Sequence, residues 1–180
     1  MTIMIVAFSI LALLKPVQAS VGSYGRFDSV EVFSRSDEAS NVNYNDAGYF
    51  EGKVPREHSD VDHVLIRGNY TFEAKYRDTI KIINYFYASY HYYIAAGYGH
   101  ALIQTFYYIY EKETGLLSGP WEIFRDGGYH TSAWSPPDEG QNANWQFRTS
   151  WAWTFELIEG FTYTLMYFFK VSATVGSYVE

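Results

Sequence analysis

The chain has 180 residues, no cysteine and a formal net charge of −7 at pH 7, and 20% of its residues are aromatic. This length suits one domain with a core large enough to fold without cross-links, and the lack of cysteine excludes disulfides and thiol chemistry. Because an acidic chain without a basic block repels phosphate groups, we expect neither a nucleic acid nor an anionic membrane surface as a partner.

The N-terminus has the pattern of a secretory signal peptide. Residues 3–14 are apolar or small, a run of the length of a signal-peptide core but too short to cross a bilayer as a helix. A Lys-Pro pair ends the run, and the sequence VQA that follows places small residues at the positions that a signal peptidase recognises. We therefore predict a signal peptide over residues 1–19 with cleavage after Ala19, a secreted protein, and a single domain over residues 20–180. A buried N-terminal strand or helix is the alternative.

Alternation of aromatic and polar residues predicts strands along most of the remaining chain. A period of two with apolar residues on one side is typical of a strand with one solvent-exposed face, and aromatic and β-branched residues favour strands. The predicted strands lie at residues 27–33, 61–66, 69–77, 79–94, 101–110, 120–125, 145–157 and 161–171. Two polar segments without a period are predicted to be long loops, at residues 34–55 and 135–144.

Two turns predict how four of these strands pair. Gly97 and Gly99 tolerate the backbone of a tight turn, which predicts a hairpin between residues 79–94 and 101–110. The pair Glu-Gly at residues 159–160 predicts a second hairpin, between residues 145–157 and 161–171. We therefore predict an all-β domain of about eight to ten antiparallel strands, as a β-sandwich or a closed barrel.

Aromatic side chains are the main candidates for a binding surface. Large flat rings on an exposed sheet stack on sugars or pack against a protein, and tyrosine keeps its hydroxyl in water while its ring is covered. The candidate ligand-binding residues are Tyr85, Tyr87, Tyr93, Tyr108, Trp145, Trp151 and Trp153. Because the three tryptophans occupy alternate positions of one parity, burial in a core between two sheets is the alternative for them.

One polar cluster has the chemistry of metal ligands. In the sequence EHSDVDH, His58, Asp60 and Asp62 share one face of an extended chain. One imidazole and two carboxylates could form an open site for a divalent metal, the only cofactor that the sequence suggests; a solvated loop is the alternative. The sequence NYT predicts N-glycosylation of Asn69 in a eukaryotic secretory pathway.

Three classes of function fit these patterns. We favour a secreted, non-enzymatic β-sandwich that binds a carbohydrate or a protein partner through a Tyr/Trp-rich surface, with self-association through sheet faces in the same class. The second is a membrane β-barrel or pore-forming protein, for which strands of about ten alternating residues are typical. The third is a secreted metal-dependent hydrolase that uses His58, Asp60 and Asp62.

The sequence contains no catalytic motif, so we do not assign catalytic residues. It has no serine in a nucleophile elbow and no diagnostic pair of carboxylates. His91 and His100 flank the predicted glycine turn, where a hairpin would bring them close enough for acid–base chemistry. A packed or hydrogen-bonded role for each histidine is the alternative.

Overall fold

The computed structural model describes residues 5–13, 26–37, 40–54, 62–94, 99–130, 132, 134–148, 153–174 and 177–179. These residues form twelve strands and no helix, so the described part of the chain contains no helix that could span a membrane. The strands are β1 (Ile5–Leu13), β2 (Ser29–Arg35), β3 (Ser40–Tyr44), β4 (Tyr49–Lys53), β5 (Asp62–Glu73), β6 (Asp78–Ile94), β7 (Gly99–Glu111), β8 (Leu116–His130), β9 (Asp138–Arg148), β10 (Trp153–Leu157), β11 (Thr162–Ala173) and β12 (Ser177–Val179).

The strands pair in two antiparallel sheets. Sheet A has the order β10-β6-β1-β4-β3, with β9 and β12 also paired to the long strand β6, and sheet B has the order β2-β5-β11-β7-β8. The predicted all-β antiparallel class is therefore confirmed, although the twelve strands exceed the predicted number. The described strands do not close into a barrel, so that alternative of the fold prediction is wrong.

Alternation along β11 and β7 produces the core of sheet B. Every second side chain of β11 is buried, at Tyr163, Leu165, Tyr167, Phe169 and Val171. The same period buries Ala101, Ile103, Thr105, Tyr107 and Ile109 of β7, which form one face of that strand. Because the two strands are paired in register, these side chains form one continuous inner surface.

Strand β4 lies against this inner surface. The fully buried Phe50 stacks on Tyr167 and on Phe169, with ring centroids 6.4 and 6.2 Å apart and rings nearly parallel. Gly52 follows on β4, where a Cβ atom would lie only 3.1 Å from Cγ2 of Val171 and 3.4 Å from Cβ of Val64. The absence of a side chain at Gly52 therefore allows β4 of sheet A to approach sheet B closely.

A second contact joins the sheets at β6 and β8. The ring of Tyr90 packs against Phe124, with centroids 6.0 Å apart, and both side chains are buried. The Tyr90 hydroxyl donates a hydrogen bond to the carboxylate of Asp126, also on β8. This bond satisfies the polar end of a side chain whose ring belongs to the core.

Both predicted hairpins are wrong. Strand β10 pairs with β6 in sheet A, whereas β11 pairs with β5 and β7 in sheet B, so the chain changes sheet at residues 158–161. Residues 158–161 form a turn in which the Phe161 N–H donates to the Ile158 carbonyl (3.1 Å), but Gly160, with a φ of 79°, donates its backbone N–H to Ala74 and the flanking strands do not pair with each other. Likewise β6 belongs to sheet A and β7 to sheet B, and residues 95–98, with the predicted turn glycine Gly97, lie outside the described residues.

Both predicted long loops contain strands. Residues 34–55 include β3 and β4, joined by a turn in which the Asn45 side chain accepts hydrogen bonds from the backbone of Ala47 and Tyr49 (3.0 and 3.2 Å). Asn43 of β3 donates a hydrogen bond across this hairpin to the Glu51 carboxylate of β4 (2.9 Å), and the Tyr49 hydroxyl of β4 donates to the same carboxylate (2.8 Å). Strand β9, which begins at residue 138 in the second predicted loop, takes its backbone partners from β6.

Within the predicted signal peptide, residues 5–13 form a strand in this structure. Strand β1 pairs with β6 from Val6↔Tyr87 to Leu13↔Ile80, and its first residues pair with β4. It therefore connects β4 to β6 within sheet A in the uncleaved chain. Residues 14–25, which include the predicted cleavage point, lie outside the described residues, and cleavage stays a prediction.

Candidate functional site

Four aromatic side chains form a cluster on the face of sheet B that points away from sheet A. This outer aromatic cluster consists of Phe33, Phe106, Tyr108 and Phe168, which alternate along their strands with inner residues. The rings of Phe106 and Phe168 stack, with centroids 5.1 Å apart and planes at 10°. Tyr108 and Phe33 each meet Phe168 edge-on at 5.7 Å. Phe168 is consequently 7% exposed at the centre, whereas Phe33 is 52% exposed at the margin.

Charged and polar side chains surround this cluster. The Arg67 guanidinium carbon lies 4.7 Å from the centroid of the Phe33 ring, and its Nε donates a 3.0 Å hydrogen bond to Glu31. On the opposite side, Gln104 donates a hydrogen bond to Glu122, which lies directly across from Phe106 in the β7–β8 register. The cluster therefore has an apolar centre with paired polar groups at two margins.

Exposed apolar residues extend the outer face toward both ends of the sheet. Tyr110 and the exposed Leu117 lie directly opposite each other on β7 and β8. At the other end, His100 meets the exposed ring of Tyr129 edge-on, with centroids 5.8 Å apart. In the β7–β8 register the polar pair Gln104 and Arg125 lies between His100 and Phe106, so the apolar surface at this end is separate from the outer aromatic cluster.

The electrostatic environment keeps His100 neutral. Burial lowers the pKa of His100, and the positive charges of Lys170 and Arg125 lower the pKa further. Both of these cations lie on the outer face with His100, because Lys170 alternates with inner residues and Arg125 is paired with Gln104. At neutral pH, His100 therefore adds an uncharged ring to this face.

One predicted tyrosine lies in the outer aromatic cluster, and the other three lie in sheet A. Tyr108 is half-buried against Phe168, as expected for a tyrosine on the face opposite the core. Tyr93 is half-buried on β6, opposite residues of β9 and β12. Tyr85 and Tyr87 lie on β6 between β1 and β9, and their side chains lie outside the described part of the chain.

The predicted tryptophans do not share one strand. Trp145 is on β9, opposite Ala88, and Trp153 is on β10, opposite Ile82, so both strands flank β6. Their side chains, and all of Trp151, lie outside the described residues. The choice between a stacking surface and a core therefore stays a prediction for these three residues.

The predicted metal site falls mainly on residues that are not described. His58 and Asp60 lie outside the described residues, and Asp62 is the first residue of β5, where its backbone is opposite Ala173. Among the described residues, no group of three or more His, Asp or Glu side chains could hold a metal. The metal site and the hydrolase based on it stay predictions.

His91 and His100 do not face each other across a hairpin. His91 lies on β6, where its Nε2 is 2.6 Å from the carboxylate of Glu139 on β9. His100 lies on β7 in the other sheet. The proposed acid–base pair therefore lacks the hairpin on which it depended.

Asn69, the predicted glycosylation site, is close to the outer aromatic cluster. Its side chain is half-buried and donates a 3.0 Å hydrogen bond to Ser29 on β2. In the register of sheet B it lies across from Met166, which in turn lies across from Tyr108. Glycosylation stays a prediction, and a glycan at Asn69 would cover part of the outer face.

The sequence argument missed Phe33, Arg67, Phe106 and Phe168. A local signal was present for two of them, because Phe106 and Phe168 have the parity opposite to the core residues of β7 and β11. Their proximity depends on the pairing of β7 with β11, which places Phe106 directly across from Phe168.

Comparison with known proteins assigns neither a family nor an activity. No family model matches the sequence, and no curated protein is significantly similar to it. The functional argument therefore depends on the geometry of the outer face.

Proposed function

We propose that the protein is a secreted, non-catalytic β-sandwich that binds a protein partner through the outer aromatic cluster. The observation that carries this proposal is the exposure of the Phe33 ring. This ring is half-exposed at the margin of three packed aromatic rings, and Arg67 covers one of its sides. Phe, Tyr and Arg are enriched in protein interfaces, where a few such residues contribute most of the binding energy.

A second copy of this chain is the partner that the charges of the outer face suit best. At one edge of sheet B, Glu31 of β2 is paired with Arg67 of the neighbouring strand β5. At the other edge, Glu122 of β8 lies 3.8 Å from Arg125 of the same strand. If β2 of one copy lies over β8 of the other, Glu31 of one copy can face Arg125 of the other, and Arg67 can face Glu122. Charge complementarity of this kind supports a self-complementary interface.

Sedimentation equilibrium over a range of concentrations tests this proposal. We expect the secreted protein to dimerise and Phe33→Ala to weaken the dimer by roughly tenfold, the effect of losing about 1.4 kcal/mol at an interface residue. Tyr76→Ala is the matched control, because Tyr76 is also an exposed ring but follows the end of β5. A protein that stays monomeric at every concentration, or equal effects of the two substitutions, would contradict this interface.

Carbohydrate binding is a second candidate, favoured by Trp134. Its indole is 93% exposed in the segment before β9, and a flat ring in water is suited to stack on a sugar. We expect the protein to be depleted from solution by insoluble cellulose or chitin, and Trp134→Ala to abolish the depletion while Tyr76→Ala retains it. Equal recovery of all three proteins in the supernatant would exclude this candidate.

A further inference from the structure

Strand β1 of sheet A lies entirely within the predicted signal peptide. It pairs with β6 from Val6↔Tyr87 to Leu13↔Ile80, and its first two residues also pair with β4. Because β1 ends before Ala19, cleavage at the predicted position removes the whole strand. The cleaved chain keeps β4 and β6 but loses the strand between them. We call the place that β1 occupies along Ile80–Tyr87 of β6 the β1 slot.

Loss of β1 opens one side of β6 over Ile80–Tyr87. The other side of β6 stays paired with β10 and β9. Strand β12 pairs with Tyr92–Ile94, where β9 already occupies that other side, so β12 continues the line of β1 without covering the slot. In an antiparallel pair every second residue directs both its N–H and its C=O at the neighbouring strand. The slot therefore presents a row of backbone donors and acceptors, which is a template for another strand.

The slot keeps the width of one strand at the end where β4 lies. Tyr49 of β4 and Tyr87 of β6 both pair with Val6, so their backbones lie two strand spacings apart, about 9.5 Å. Phe50 packs β4 against sheet B, and Tyr90 packs β6 against β8. Neither contact involves β1, so both strands keep their positions after cleavage and the gap between them stays open.

The sequence of β1 indicates which kind of segment fits the slot. Its nine residues, IVAFSILAL, carry no charge and include one polar residue. The stretch of β6 that pairs with it, IKIINYFY, has one charged residue, Lys81. The occupant has to be a single extended segment, because at its first residues it lies between β4 and β6. All the described strands of the cleaved chain are already paired in a sheet, so a second copy does not offer one of them.

We propose that the mature protein binds an extended, uncharged and mainly apolar segment of a partner protein in the β1 slot, as an added antiparallel strand of sheet A. Main-chain hydrogen bonds to β6 provide affinity, and the cost of burying a charge selects an apolar segment. This proposal rests on the secretion in the proposed function, because cleavage opens the slot. It concerns sheet A, whereas the proposed dimer uses the outer aromatic cluster of sheet B.

A synthetic peptide with the sequence of β1, flanked by two lysines at each end for solubility, is the probe. We expect the secreted protein to bind the fluorescently labelled peptide in anisotropy titrations. A matched peptide with Ser9→Pro and Ile10→Pro should bind roughly tenfold more weakly, because one of two adjacent N–H groups is directed at β6 and proline has none. The uncleaved chain of residues 1–180, produced without secretion, should not bind, because its own β1 fills the slot.

The register of the added strand provides a second measurement, because the chain has no cysteine. Ser9 lies directly across from Asn84, whereas Ala12 lies across from Lys81. With the protein variant Asn84→Cys, the peptide variant Ser9→Cys should form a mixed disulfide roughly tenfold faster than the peptide variant Ala12→Cys, since a disulfide requires close Cβ atoms. Equal rates for the two peptides would contradict the proposed strand pairing.

Phe33→Ala separates this proposal from the proposed function, because it should weaken the dimer and leave peptide binding unchanged. The proposal is overturned if the secreted protein does not bind the β1 peptide, or if it binds the proline peptide equally well. Equal binding by the secreted and the uncleaved chains also overturns it, because the peptide then binds elsewhere. Dissociation of a remaining Phe33→Ala dimer by the peptide overturns it as well, because a second copy then occupies the slot.

Discussion

Replacement of Phe50 by alanine tests whether the two sheets pack as described. Phe50 is fully buried and contacts Phe27, Tyr167 and Phe169, so it connects β4 of sheet A to the centre of sheet B. Burial of a phenylalanine contributes about 1.5–3 kcal/mol, and each aromatic contact adds about 0.5–1.5 kcal/mol. Because the site cannot collapse completely, we expect Phe50→Ala to lower the free energy of unfolding by about 3–5 kcal/mol.

Phe33→Ala is the matched control for this measurement. Phe33 is half-exposed and has one edge-on ring contact and one contact with Arg67, so we expect a loss of only about 0.5–1 kcal/mol. Urea unfolding followed by tryptophan fluorescence and far-UV circular dichroism measures both losses. Equal and small losses for the two variants would refute the close packing of β4 on sheet B.

Three further predictions concern the N-terminus, a histidine and a close backbone contact. N-terminal sequencing of the secreted protein should show a chain that begins at Ser20. This cleaved chain should still fold, because Phe50 keeps its contacts in sheet B. A secreted chain that retains β1 would contradict the predicted cleavage. Burial lowers the pKa of His100 in the folded state, so the contribution of its neutral form to stability is present above pH 6.5 and is lost as the pH falls through the folded-state pKa. Replacing His100 by Asn should therefore reduce the fall of the urea-unfolding midpoint at acidic pH. An unchanged pH profile would count against the lowered pKa. Gly68→Ala places a Cβ atom 2.8 Å from the Phe27 ring and should lower the free energy of unfolding by about 1–3 kcal/mol. In a protein that already carries Phe27→Leu, the same substitution should cost less. An equal loss with Phe27 and with Leu at this position would rule out this contact as the cause.

Several properties could be predicted from the sequence because they are local. The period of two along residues 161–171 and 101–110 indicated strands and grouped their side chains into two faces, although for residues 101–110 it did not indicate which face is buried. The same period placed Tyr108 on the face opposite Tyr107 and Ile109, and the structure places it in the outer aromatic cluster. The predicted strand at residues 79–94 is confirmed almost to its ends as β6.

The assignment of each strand to a partner and a sheet could not be predicted, because it depends on contacts between residues far apart in the chain. Gly160 is compatible with a tight hairpin and equally with a crossing from β10 in sheet A to β11 in sheet B. The hairpin of β3 and β4 escaped prediction because polar pairs such as Asn43 with Glu51 stabilise it without an apolar period.

The candidate sites show the same division. The parity of Phe106 and Phe168 is a property of each strand alone, but the stacking of the two rings requires β7 and β11 to be neighbours in register. Tyr107 and Tyr167 lie directly across from each other inside the protein for the same reason. The sequence by itself determined which side of each strand these residues occupy, because side chains alternate with the backbone pleat. Only the tertiary structure decided which residues become neighbours, because pairing and sheet packing depend on the burial and hydrogen bonding of the whole chain.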